Sequence, residues 1–280
     1  MTTEFRIRPM SLADMETAVE WAAKEGWNPG LYDADAFRAV DPEGFLMGWI
    51  GDVPVSAISV VRHTPDFGFL GFNLCHPEHR GKGFGWQTWQ AGMAHLGART
   101  VGLDGVPAQQ ANYERSGFAL AHNTRRHAGT IEGQADADCV PAATDDIAEL
   151  LEFDRKVSGV ARSAYLTAWF DQSDTRHTMV CRSSGRLAGF GTIRACRQGH
   201  KIGPVFATDT ETARRLIRAL VAEAKAREIM IDVPDPNKAG VSLAEQFGLN
   251  PVFSCARMYR GDAPLRALGS IFGETSFELG

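Results

Sequence analysis

What narrows the fold most is an internal repeat: Pro9 to Gly129 and Pro141 to Gly261 run in parallel. Pro9-Met10-Ser11-Leu12-Ala13-Asp14 faces Pro141-Ala142-Ala143-Thr144-Asp145-Asp146, and Ile50-Gly51-Asp52-Val53 faces Ser184-Gly185-Arg186-Leu187. Further on, Arg115-Ser116-Gly117-Phe118 faces Gln246-Phe247-Gly248-Leu249, and His127-Ala128-Gly129 faces Tyr259-Arg260-Gly261. The displacement stays between 131 and 134 residues throughout. Such a slow drift is what loop insertions leave in two copies of one fold. A chain of 280 residues also suits two domains at the usual ~100 to 200 residues each. The expected division is a first domain over 1–129, a polar linker over 130–140, a second domain over 141–262 and a tail over 263–280.

Within the first copy, Phe5 to Arg8 alternates as a short strand and Ser11 caps a helix whose apolar face holds Leu12, Met15 and Val19. A second helix is expected over Asp33–Val40. Three strands then follow at Gly44–Ile50, Val53–Arg62 and Phe67–Cys75, separated by Gly51-Asp52 and Pro65-Asp66 turns. Gly83–Leu96 reads as a helix, Thr100–Asp104 as a strand, Ala108–Ser116 as a helix and Phe118–His127 as the last strand. The second copy repeats the order, with helices at Asp145–Val157, Thr210–Arg227 and Ala239–Phe247. Strands and helices in this order predict an α+β fold, each copy a mixed, mostly antiparallel sheet flanked by helices.

The chemistry concentrates in Arg80-Gly81-Lys82-Gly83-Phe84-Gly85, at the junction of a strand and a helix. Three glycines let main-chain N–H groups converge, the helix start adds positive potential, and Arg80 and Lys82 add charge, so the loop suits a pyrophosphate. It is neither a Walker loop, lacking Gly-Lys-Ser/Thr, nor a dinucleotide fingerprint, which would need glycine at Trp86 or Thr88. One strand–helix unit later stands Tyr113-Glu114-Arg115-Ser116-Gly117-Phe118.

Arg-x-x-Gly-x-Gly followed by Tyr-x-x-x-Gly-Phe at this separation resembles the GNAT superfamily of acyl-CoA-dependent N-acetyltransferases, over about residues 1 to 129. The whole chain resembles members carrying a second, degenerate GNAT-like half. The resemblance implies that the main chain from Gly81 to Gly85, including Lys82, Gly83 and Phe84, holds the pyrophosphate of acetyl-CoA, with Arg80 at the loop entry. It implies that Leu74 and Cys75 position the pantetheine and acetyl group through main-chain hydrogen bonds, and that Tyr113 is the general acid for the departing thiolate. A phenol near pKa ~10 can donate to a thiolate of ~8.5 only as that charge develops. The family's Asn seven residues before the tyrosine is Val106 here, and Phe67–Cys75 holds no Asp or Glu to act as base. Asp104 is the replacement expected from its place at the end of a strand near the cleft, the other reading being a turn residue before Gly105.

In the second copy the loop's counterpart, Phe206-Ala207-Thr208-Asp209-Thr210-Glu211-Thr212, has no glycine and adds two carboxylates, and Ala244 stands at the tyrosine position. It is expected to cap a helix and to bind no coenzyme. The segment Ile231 to Asn237 is a candidate border of the acceptor cleft.

Lys and Arg total 29 against 34 Asp and Glu, a net charge of −5, which gives no basic surplus for nucleic acid or an anionic membrane. No run approaches the ~18 apolar residues of a membrane span, and the N-terminal residues do not read as a signal peptide, so a cytoplasmic protein is expected. Five widely spaced cysteines without a Cys-x-x-Cys argue against a disulfide framework and structural zinc. His76-Pro77-Glu78-His79 is interrupted by Pro77, and no metal is expected. These readings converge on an N-acetyltransferase that moves the acetyl group of acetyl-CoA to a small, cationic primary amine by direct attack in a ternary complex. The alternative is a non-catalytic protein that binds or senses acyl-CoA.

Overall fold

The computed structural model describes residues 4–280. Its first copy runs β1 (Phe5–Pro9), α1 (Leu12–Lys24), α2 (Asp33–Arg38), β2 (Phe45–Ile50), β3 (Val53–Arg62), β4 (Phe67–Cys75), α3 (Phe84–Leu96), β5 (Thr100–Gly105), α4 (Gln110–Arg115) and β6 (Ala119–Thr130). The second repeats it with β7 (Cys139–Pro141), α5 (Ile147–Ser158), α6 (Ser163–Trp169), β8 (Arg176–Ser183), β9 (Arg186–Ala195), β10 (His200–Ala207), α7 (Thr210–Glu223), β11 (Glu228–Pro234), α8 (Lys238–Gln246) and β12 (Asn250–Arg260). A short strand, β13 (Ile271–Gly273), follows. The two series correspond element by element, which bears out the repeat and the α+β class. At the first helix, Ser11 and Asp14 form a reciprocal capping box, each side chain bonding the other's main-chain N–H. Helix α6 and strands β7 and β13 were not foreseen.

All strands join one sheet in the order β1-β2-β3-β4-β5-β12-β6-β11-β10-β9-β8-β7, with β13 on β10. The parallel pairs are β4 with β5 and β10 with β11. The final strands are exchanged: β12 of the second copy lies against β5 of the first, and β6 of the first lies against β11 of the second. Each exchanged strand carries an arginine directly opposite an aspartate, Arg257 facing Asp104 and Arg126 facing Asp232. Arg257 and Arg126 are themselves 131 residues apart, within the repeat displacement.

Two segments expected to be peripheral are built into the fold. Within the linker Ile131 is buried in the core that α7 shares, and the Gln134 N–H donates to the Arg218 carbonyl. The tail is exposed only in part: every residue from Ile271 to Gly280 is buried. Its polar residues hide the signal, because Glu274, Thr275, Ser276 and Glu278 are residue types usually left in water. Glu274, Thr275 and Ser276 can be buried here because other side chains receive them, Arg162 donating to the Thr275 hydroxyl at 3.2 Å. Arg266 and Arg257 flank Glu274, Tyr165 reaches Ser276 at 3.2 Å, and His63 reaches the Leu279 carbonyl at 2.9 Å.

Residues of both copies also share one core. Phe37 of α2 stacks on Trp169 of α6, with ring centres 6.0 Å apart, and touches Tyr165 and Phe72. Asp33 at the start of α2 binds Arg176 and Arg194, each at 3.1 Å, so the ends of β8 and β9 are clamped to the first copy.

Candidate active site

The site begins where two parallel strands part. Strand β4 pairs with β5 only from Phe67 opposite Thr100 to Leu70 opposite Leu103, although both strands run on. Beyond that point β4 bulges: Phe72 and Asn73 together face Ile58 of β3, and Phe72 takes φ +45°. The His76 N–H donates to the Val55 carbonyl, so by antiparallel alternation Leu74 also turns its main chain to β3. Cys75 turns the other way, into the gap. Of the two residues expected to offer main-chain groups, Cys75 therefore faces the opening and Leu74 is occupied by β3.

The glycine loop caps one end of the gap. Gly81 and Gly83 have φ +73° and +85°, the left-handed region, with open space where a Cβ would stand. Conformation, not crowding, is what requires glycine there. Gly83 precedes α3 without any side-chain cap, and the first turn has no acidic residue. The start of a thirteen-residue helix thus presents uncapped N–H groups, as an anionic phosphate needs. The Arg80 Nε donates to the Cys75 carbonyl at 3.0 Å, and its guanidinium pairs with Glu25. Lys82 donates to the Glu78 carbonyl at 2.8 Å and remains exposed. The Phe84 ring, half-buried, packs at a tilt against Phe5 with centres 4.9 Å apart. Gly85 sits against Cys75, whose thiol is pushed above its ordinary pKa by burial.

Tyr113 closes the opposite wall. Its ring stacks on Trp89 with centres 5.6 Å apart and meets Phe118 edge-on. A Cβ on Gly105 would stand 2.7 Å from that ring, so glycine there lets α4 approach. Asn73 at the bulge shares its wall, and burial raises the Tyr113 pKa above the usual phenol value, keeping the proton in place. Val106, at the position of the family's asparagine, is also on the wall.

The gap opens into a cleft of about 860 Å³ bordered by the glycine loop, α3 and α4. An inner cavity of about 60 Å³ continues from it past Trp27, Asn73 and Tyr113. Asp104 reaches this inner cavity, as its position suggested, but both its oxygens accept from Arg257, at 2.8 and 2.7 Å. Burial pushes its carboxyl up to about 6 against the pull of that guanidinium. The remaining wall comes from residues that the sequence did not single out: Phe253 and Cys255 of β12, and Phe277 and Glu278 of the last segment. No local pattern marks them, because the strand exchange and the buried tail bring them there.

The second copy holds no equivalent. Asp209 accepts from the Thr212 N–H at 2.8 Å and satisfies the start of α7 itself. Ala244 is buried at the tyrosine position. Asp232 serves Arg126 and Asn237 caps α8, so the Ile231–Asn237 segment does not line the cavity. Near the loop, ligand atoms of His76, Glu78 and His79 lie within 4.8 Å of one another, Glu78 being a third group beside the histidine pair. The His76 ring packs on Trp21 and the His79 ring on Phe84. None of the described helices is long and apolar enough to cross a membrane.

A substitution tests the loop directly. Gly83→Asp puts a carboxylate at the uncapped start of α3 and a side chain in a left-handed conformation, a cost of ~1–2 kcal/mol before any repulsion of a bound phosphate. Affinity for acetyl-CoA in titration calorimetry is expected to fall by roughly 10- to 100-fold, equivalent to ~1.4–2.8 kcal/mol. Unchanged affinity would remove the loop from the site.

Comparison with known proteins agrees with this geometry. The model of the Acetyltransferase (GNAT) family matches residues 12–118, and that of an Acetyltransferase (GNAT) domain matches residues 150–273. The holothin acyltransferase of Pseudoalteromonas sp. (strain SANK 73390) is 34% identical over 276 residues, covering 98% of this chain and 94% of that protein. A proposed acetyltransferase of Pyrococcus horikoshii has the same fold, with TM-score 0.83 at 20% identity over 99% of this chain and 96% of that one. A tandem GNAT protein from the clavulanic acid biosynthesis pathway superposes with TM-score 0.64 at 14% identity, over 91% of this chain and 98% of that one. With a glycine turn on an uncapped helix, a parted β4–β5 pair and a second copy of the same fold, the chain belongs to the GNAT family of acyltransferases, in its tandem form.

Proposed function

We propose that this protein transfers an acetyl group from acetyl-CoA to the primary amine of a small molecule, by direct attack while both substrates are bound. The observation that carries this reading is the continuity of the two spaces. The cleft at the glycine loop leads past Tyr113 into a separate inner cavity, so a coenzyme can enter from one side and an acceptor can meet it at the gap. In this reading acetyl-CoA supplies an activated acyl group. The protein's own groups do the rest: the loop N–H groups and Arg80 hold phosphate, and the Cys75 main chain orients the acyl end. A main-chain N–H aimed at a carbonyl oxygen stabilises the negative charge that develops there. Tyr113, kept protonated by burial, supplies the proton that the departing sulfur needs. The inner cavity is small and largely walled by apolar side chains, which favours a compact acceptor over a polymer. The likeness to a holothin acyltransferase over nearly the whole chain supports a small-molecule acceptor as well.

Thiol release from acetyl-CoA in the presence of a panel of primary amines tests the reading, with binding followed in parallel by calorimetry. Amine-dependent thiol release is expected. Acetyl-CoA binding without release by any amine would favour instead a protein that binds or senses acyl-CoA, the reading suggested by a β4 without a carboxylate.

A further inference from the structure

An amine arrives at neutral pH mostly as an ammonium ion and must lose a proton before it can attack. β4 supplies no carboxylate, and Asp104 lends both oxygens to Arg257. The segment after β13 supplies another. Glu278 is 3% exposed and lines the inner cavity together with Tyr113 and Asn73. The other buried carboxylates are all paired: Asp14 with Arg8, Asp33 with Arg176 and Arg194, Asp41 with Arg62, Asp154 with Arg162, Asp232 with Arg126 and Glu274 with Arg266. Glu278 has no such partner among the described residues, and its Oε2 is buried without any hydrogen bond. Burying a carboxylate without a partner costs several kcal/mol, so a group of this kind points to a cation that is absent when the site is empty.

The protein holds this residue in place. A Cβ on Gly71 would stand 2.1 Å from the Glu278 carbonyl oxygen, so β4 is notched by glycine where the segment crosses it. The next residue is anchored by His63 on the Leu279 carbonyl. Of the charged groups around Glu278, Arg126 is committed to Asp232, Arg194 to Asp33 and Asp104 to Arg257, while Lys201 donates to the Trp27 carbonyl, its amine pushed down to about 8 by burial and the neighbouring Arg126. Cys255 and Tyr113 are kept protonated by burial. Phe253 and Phe277, with ring centres 6.2 Å apart, form an apolar wall beside it.

We propose that Glu278 is the base of the reaction, receiving the ammonium group of a compact primary amine whose apolar body rests against Phe253 and Phe277. This rests on the amine-acetylation reading above. The step balances in protons and electrons. Glu278 takes one proton from R–NH3+, the freed nitrogen lone pair forms the C–N bond, and the C–S bond breaks with its electrons passing to sulfur. Tyr113 protonates the sulfur and recovers a proton from the acylated nitrogen. Glu278 then releases its own to solvent, one proton per turnover.

The test compares wild type, Glu278→Gln and Glu278→Asp with acetyl-CoA and phenethylamine, tyramine or n-hexylamine, with kcat/KM measured from about pH 6.5 to about pH 9.5. Near neutral pH, Glu278→Gln is expected to lose about 10²- to 10³-fold in kcat/KM while acetyl-CoA affinity stays within about twofold. The deficit should shrink to about tenfold at the alkaline end, where solution supplies more free amine. Glu278→Asp, which keeps the charge, should recover part of the loss and covers the case of a poorly folded Gln variant. Equal rates, or a deficit constant across the pH range, would overturn the role of Glu278 while leaving the amine reading intact. A wild type that binds acetyl-CoA but acetylates none of these amines would overturn both.

Discussion

Replacing Arg257 with methionine is expected to destabilise the fold by about 3–5 kcal/mol, the usual cost of leaving one member of a buried ion pair uncompensated. Arg257 is 3% exposed, sits opposite Asp104 on the exchanged strand, and approaches Glu274 at 3.6 Å. Glu274 keeps Arg266 at 2.7 Å and is held far below the ordinary carboxylate range, so the unpaired charge falls on Asp104. The sign of the pH dependence follows. Burial already pushes Asp104 up to about 6, and loss of the guanidinium raises it further. Between these two values the variant's folded state holds a proton that its unfolded state does not, so its stability falls with rising pH while that of the wild type does not. The deficit should therefore widen from about pH 6 upward. Urea unfolding at several pH values measures it. Asp104→Leu combined with Arg257→Met should recover most of the loss, because removing both charges leaves nothing uncompensated. An unchanged unfolding midpoint in Arg257→Met would show that the pair does not hold the exchanged strands together.

Tyr113→Phe is expected to lower kcat by roughly 10²- to 10⁴-fold with little change in acetyl-CoA affinity. The substitution keeps the ring, and with it the stacking on Trp89 and the edge contact with Phe118, so the α4 wall should survive. What is lost is the hydroxyl and its proton. Steady-state kinetics with an amine that the wild type acetylates, together with calorimetry, separates chemistry from binding. A variant as fast as wild type would exclude Tyr113 from proton transfer. A variant that instead lost acetyl-CoA affinity at constant kcat would place the hydroxyl in binding.

Much of this was legible because it is local. The repeat is visible as parallel landmarks, and the strand and helix series follows from hydrophobic spacing, with Val53–Arg62 and Phe67–Cys75 observed at their expected bounds. The glycine loop is a local device too: positive φ at Gly81 and Gly83 and an uncapped helix start are properties of six consecutive residues. The different helix start in the second copy was equally readable, since Asp209 caps α7 with its own side chain.

The sequence by itself determined two copies of one α+β unit, a phosphate-suited loop in the first and a tyrosine one strand–helix unit beyond it. Only the tertiary structure decided which strand completes which copy. Both β6 and β12 carry an arginine at the repeat-equivalent position, Arg126 and Arg257, and both β5 and β11 present an aspartate, so either pairing satisfies the same local chemistry. The exchange comes with contacts distant in sequence that tie the two copies together, such as Phe37 on Trp169 and Asp33 on Arg194. The same holds for Glu278: an acidic residue in a polar segment reads as solvated, and it becomes a buried, unpaired carboxylate only because that segment runs across the notch at Gly71, where two copies meet.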